Sequence, residues 1–119
     1  MNYLNISRGD VVDINLDPVL GSEIGKVRPG VVVQNNRGNQ FSPMTIIAAI
    51  TGAEHIRTPL PVMVFISAGQ GGLTKDSYVD CGQIRSVDKE SRIVKKRGTL
   101  EETLMAEIDR ALKISLALK

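Results

Sequence analysis

Between Gly21 and Asn35 the chain reads GSEIGKVRPGVVVQN, a polar loop that ends on an arginine at the mouth of an apolar strand. Ser22, Glu23 and Lys26 lie in the loop and Arg28 closes it; Pro29 and Gly30 then open the β-branched run Val31-Val32-Val33. Such a loop can fold over a ligand while the strand holds its root. A guanidinium adds a planar fork of donors that matches two phosphate oxygens at once. The chemistry within reach is phosphate binding, set against the plainer role of a solvated loop charge. A second cationic group, Lys89, Arg92, Lys95, Lys96 and Arg97, follows Arg85 closely in sequence. It too can attract phosphates or simply cover a wetted face.

Other chemistries are poorly supplied. One histidine, His55, one cysteine, Cys81, and scattered acids make no ligand set of recognisable spacing, so neither metal nor cofactor is expected. Asp13, Asp17 and Glu54 read as structural or solvating. Gly69-Gln70-Gly71-Gly72 lacks the Lys-Ser/Thr ending and the strand-to-helix setting of a phosphate loop, and reads as a flexible turn. Arg8-Gly9-Asp10 reads as the start of a strand rather than an adhesion motif. Cys81 is expected in a buried strand and His55 on the surface.

The elements that must position these residues follow from periodicity. Val11–Leu16 alternates apolar and polar; Pro29–Gln34, Met44–Ile50, Val62–Ile66 and Ser77–Cys81 are further short strands, and Gln83–Asp88 is a strand or short bend. Asn35–Pro43 and residues 53–61 are rich in turn formers and read as connections. One clear helix ends the chain, with Thr99 as N-cap, Glu102 completing a capping box, and apolar residues from Leu104 to Leu116 at helical spacing. Ile114 and Leu118 widen its apolar surface, which suits the sheet or a subunit contact. The pattern is a mostly β (α+β) fold, a small, partly closed antiparallel β-barrel with a C-terminal helix. A length of 119 residues fits one domain, residues 1–119. No apolar run approaches the ~20 residues of a membrane helix. The segment MNYLNISRGD lacks a secretory pattern, and a lone cysteine fits a reducing compartment, so a cytoplasmic location is expected. A net charge of +2 is too mild to announce a nucleic-acid binder by itself.

Taken in order, Arg8-Gly9-Asp10-Val11, Pro18, Gly21-Ser22-Glu23, Arg28-Pro29, Val32-Val33-Gln34-Asn35, Ser42-Pro43, Ile50-Thr51, Gln83-Ile84-Arg85, Val87-Asp88-Lys89 and Ile114-Ser115-Leu116-Ala117-Leu118 resemble the MazF/PemK toxins. The similarity covers nearly the whole chain. It implies an SH3-like barrel, a homodimer, and a metal-independent endoribonuclease of a toxin–antitoxin pair, cutting single-stranded RNA at short sequences. Catalytic weight would fall on Arg28 and Thr51. Ser22, Glu23, Lys26, Pro29, Gln83 and Arg85 would lie near the RNA. Attack by a ribose 2′-hydroxyl on the adjacent phosphorus would leave a 2′,3′-cyclic phosphate and a 5′-hydroxyl. Arginine stays protonated, so Arg28 would clamp charge, while Glu23 would either accept the 2′ proton or orient Arg28.

The resemblance also implies a MazE-like antitoxin, whose acidic, flexible tail would compete with RNA for Arg28 and Arg85. Many family members carry an aromatic residue in the first strand where this chain has Asp13. Aromatics stack on unpaired bases, and only Tyr3, Phe41, Phe65 and Tyr78 are present here. Two other functions compete: a non-enzymatic, CcdB-like poison of DNA gyrase, since fold does not determine function, and a plain binding module. Arg28-Pro29 and Ile50-Thr51 favour the ribonuclease.

Overall fold

Alternation of inward and outward side chains gives each strand of this molecule two faces, and both faces are used. The structure, a computed structural model, describes residues 5–16, 21 and 26–119. In chain order it forms β1 (Asp10–Asn15), β2 (Val27–Val32), α1 (Asn36–Phe41), β3 (Met44–Gly52), β4 (Met63–Ile66), β5 (Ser77–Asp88), α2 (Lys89–Arg92), β6 (Ile93–Thr99) and α3 (Glu102–Leu116). The strands make one antiparallel sheet in the order β4-β5-β3-β2-β1-β6, and it does not close into a barrel.

Val11, Val31, Ala48, Ile50, Val64, Ile66, Val79 and Cys81 meet Leu104, Met105, Ile108 and Ala111 of α3 in one core. The residues between them turn the other way. Val12, Ile14, Leu16, Val32, Ile47, Val87 and Ile93 form a second core with Ile6 on the opposite face. That second face can be enclosed only if the sheet curls strongly. Arg85 of β5 demonstrates the curl: its Nη1 reaches past β3 and β2 to the carbonyl of Leu16, just beyond β1, at 3.3 Å.

The expected strands are present, with several corrections. Ser77–Asp88 is one long strand rather than two, because its register against β3 shifts between Ala48 and Ala49 and absorbs Cys81, Gly82 and Gln83 as a bulge. The basic run after Ile93 is a strand, β6. Thr99 caps nothing: it ends β6 and its Oγ1 donates to Asp10 Oδ1 at 2.8 Å, while α3 starts after Glu101 with no side-chain cap. The connection after Asn35 holds the short helix α1, which Asn35 caps by accepting from the Gly38 N–H at 2.8 Å. Residues 69–72 form a turn, with a 3-10 segment at Gln70–Gly72, packed closely against β6. A Cβ at Gly72, where φ is +75°, would lie 2.4 Å from the Arg97 carbonyl oxygen, so close backbone approach explains the glycine.

Candidate functional site

Arg28 sits on β2 directly opposite Ile14 of β1. On its other side β2 pairs with β3 through Gly30–Ala49, and that register carried two residues further brings Arg28 level with Thr51. Extended this way, the register sets the two residues expected to share the chemistry on the same face of neighbouring strands, just past the last paired residues. Their side chains project from the sheet face that does not carry α3. Arg28 is exposed and Thr51 half-buried, so a phosphate can approach both from solvent. Gly30 helps build this surface. A Cβ there would come within 2.6 Å of Ile14 Cδ1, so its absence lets Ile14 lie against β2 beneath the arginine. Pro29 pairs with Asp13 and faces the other way; its part is to hold Arg28 in extended backbone.

The remaining expected residues divide into groups. Lys26 and Arg85 meet at Leu16, whose N–H donates to the Lys26 carbonyl at 2.8 Å while its own carbonyl accepts from Arg85. Lys26 is exposed and has a positive φ of 63°. Gln83 lies in the β5 bulge, between the levels of Arg85 and Thr51. Ser22 and Glu23 lie outside the described residues. Thr51 carries no local signal of function in its sequence context; its place beside Arg28 is a product of register.

Each cation of the basic cluster has a partner within the protein. Lys89 is buried, and its Nζ donates to the Asn39 carbonyl at 2.5 Å. Arg97 Nε donates to Asp13 Oδ1 at 2.7 Å, and Lys95 lies 3.9 Å from the other Asp13 oxygen. Lys96 lies 3.3 Å from Asp10. Arg92 donates to the Asn15 carbonyl at 3.1 Å. Asp13 is buried and holds β6 to β1 from the face opposite Arg28. Arg8-Gly9-Asp10 is likewise structural: Arg8 donates to the Val33 carbonyl at 2.9 Å and pairs with Asp109 of α3 at 2.5 Å.

Cys81 is fully buried, and burial, followed by the nearby Asp80 and Asp109 carboxylates, pushes its thiol up to about 11. It is not a ready nucleophile. His55 is exposed, 3.3 Å from Glu54. Among the described residues no three His, Cys, Asp or Glu side chains group so that they could hold a metal ion. Nor is any helix among them long and apolar enough to cross a membrane.

Known proteins resemble this chain in sequence and in fold. The chain is 47% identical over 113 residues to endoribonuclease EndoA of Bacillus subtilis strain 168, covering 95% of this chain and 96% of that protein. Its fold matches crystalline MazF from Deinococcus radiodurans with a TM-score of 0.81 at 23% identity, covering 97% of this chain and 99% of that one. It also matches a mycobacterial endoribonuclease solved with its cognate antitoxin, with a TM-score of 0.77 at 23% identity and coverage of 96% and 97%. Residues 7–116 match the family model described as the PemK-like, MazF-like toxin of type II toxin–antitoxin systems, and the chain belongs to that family.

Proposed function

We propose that this protein is the toxin of a toxin–antitoxin pair and an endoribonuclease that cuts single-stranded RNA, as one unit spanning residues 1–119. The observation that carries the reading is that Arg28 and Thr51 point to one sheet face from neighbouring strands, in a chain of this family. The 2′-oxygen attacks the adjacent phosphorus as its proton leaves. The bond from phosphorus to the 5′-oxygen breaks, and that oxygen takes up a proton. Negative charge builds on the non-bridging oxygens, where a guanidinium and a hydroxyl donor held in place stabilise it. The products are a 2′,3′-cyclic phosphate and a 5′-hydroxyl. Glu23 either takes the 2′ proton or orients Arg28, and Ser22, Lys26, Gln83 and Arg85 hold the flanking RNA.

EndoA is named an endoribonuclease, and one matched structure contains a cognate antitoxin. By the same reading this chain works in the cytoplasm on cellular mRNA, as a homodimer held in check by a MazE-like antitoxin. Incubation of the purified protein with single-stranded and duplex RNA, each with excess EDTA, tests the activity. Cleavage of the single strand alone, with cyclic-phosphate ends, is the expected result. Activity lost in EDTA and restored by magnesium would overturn the metal-independent mechanism. Inhibition of DNA gyrase with no RNA cleaved would replace the reading by a gyrase poison.

A further inference from the structure

The row that joins Arg28 to Thr51 continues across the sheet. Thr51 pairs with Tyr78 of β5, and Tyr78 pairs with Phe65 of β4, the edge strand. Residues directly opposed on antiparallel strands point to the same side, with about 5 Å between their Cβ atoms. Their neighbours Val64, Ile66 and Val79 enter the core under α3, so Phe65 and Tyr78 face outward with Thr51 and Arg28. The two rings meet edge to face, with centroids 5.5 Å apart and planes at 69°. That geometry fixes both rings yet occupies only one of their faces. Phe65 keeps 46% of its surface exposed, on a sheet edge where an apolar ring invites unwanted pairing.

We infer that Phe65 and Tyr78 form the platform on which a nucleobase flanking the cleaved phosphate stacks, and that they set the base preference at that position. The inference rests on the RNA-cleaving role proposed above. Phosphate contacts hold RNA without reading it, whereas an unpaired base gains by stacking on an aromatic ring. Among the described residues the one other aromatic is Phe41, which is exposed but lies off this row of strand residues. Phe41 lies on α1 with the Arg37 guanidinium 5.8 Å over its ring, and Tyr3 is outside the described residues. On β1, Asp13 and its partners Arg97 and Lys95 offer charge rather than a ring. A base on the platform lies within about 5–10 Å of Thr51, one to two strand spacings away.

The test sequences the cut ends from a random single-stranded RNA pool after digestion by the wild-type protein, Phe65→Leu, Tyr78→Leu and Phe65→Trp. The leucine variants keep apolar bulk and lose the ring. We expect the wild type to show a base preference next to the cut, and each leucine variant to flatten it. We expect kcat/KM on a cleaved sequence to fall about tenfold, mainly through KM. Phe65→Trp should retain both. Wild-type cleavage with unchanged preference and KM in both leucine variants would overturn the platform and leave the ribonuclease reading standing. No cleavage by the wild type would remove both.

A second measurement does not depend on those variants folding. The chain has no tryptophan and two tyrosines, so Tyr3→Phe leaves Tyr78 as the sole fluorophore of its kind. Titration with single-stranded 2′-O-methyl RNA should quench its emission. RNA that binds Tyr3→Phe with unchanged tyrosine emission would overturn the platform.

Discussion

In the proposed mechanism Arg28 and Thr51 would act on one phosphate by different means. The arginine supplies a permanent charge and a fork of donors, and the threonine supplies one hydroxyl from a strand that cannot drift away. Removing a single preorganised donor from a developing anion costs ~10²–10³ in rate. Arg28→Ala and Thr51→Ala should each lose about that much in kcat, with circular dichroism unchanged because neither side chain belongs to a core cluster. Arg28→Lys should fail nearly as badly, since an ammonium does not reproduce the fork. Cleavage near the wild-type rate by folded Arg28→Ala would move the site elsewhere. Cys81 gives a contrasting case. With its thiol raised to about 11 and fully buried, it should resist a maleimide at pH 7.5 while the protein is folded and react once it is unfolded in urea. Rapid labelling of the native protein would contradict that burial.

Among the elements, β6 depends most on charge. Five of its seven residues, Val94, Lys95, Lys96, Arg97 and Thr99, are exposed, and its side-chain hold on β1 runs through two buried acids. Asp10 accepts from the Ser7 N–H and from Thr99, both at 2.8 Å, and faces Lys96; Asp13 takes Arg97 and Lys95. Asp13→Asn keeps the shape and removes the charge that these cations face. A charge-assisted hydrogen bond is worth about 1.5–3 kcal/mol net. The variant should therefore unfold about 1–3 kcal/mol more easily in urea, while cleavage at saturating RNA stays near wild type, because Asp13 faces away from Arg28. A loss of activity without a loss of stability would mean that Asp13 acts in the site after all.

For the molecule as a whole, the end of α3 and the residues just after it carry an exposed apolar surface. Ile114, Leu116 and Leu118 are 57%, 54% and 59% exposed, beyond the part of the helix that packs on the sheet. A homodimer or an antitoxin would cover such a surface. The arginines near the site would draw both RNA and an acidic tail, so the two should compete, and both affinities should fall with salt. Light scattering at micromolar concentration and a competition titration with an antitoxin peptide examine the two halves separately. A strict monomer would refute the first, and a peptide that binds without displacing RNA the second.

Strand positions were legible in the sequence because a strand writes its own period: Val12, Ile14 and Leu16 face one way and Val11 the other whatever they pair with. Arg28 at the mouth of a β-branched run was legible for the same local reason, as was the body of the last helix. What the local pattern lacks is a partner. Thr99 next to a helix looks like a cap until Asp10 claims its hydroxyl, and the run from Lys89 to Arg97 looks like a phosphate-binding face until Asp10, Asp13, Asn15 and Asn39 occupy it. Arg28, Thr51, Tyr78 and Phe65 come from four strands, and no spacing along the chain announces their alignment. The sequence by itself determined which residue types could bind a phosphate and where most of the strands lie, β6 excepted, since both depend on residue type and near neighbours. Tertiary structure alone decided which side chains stand together, because sheet register joins residues far apart in the chain and a shift of one residue would turn every one of them to the other face.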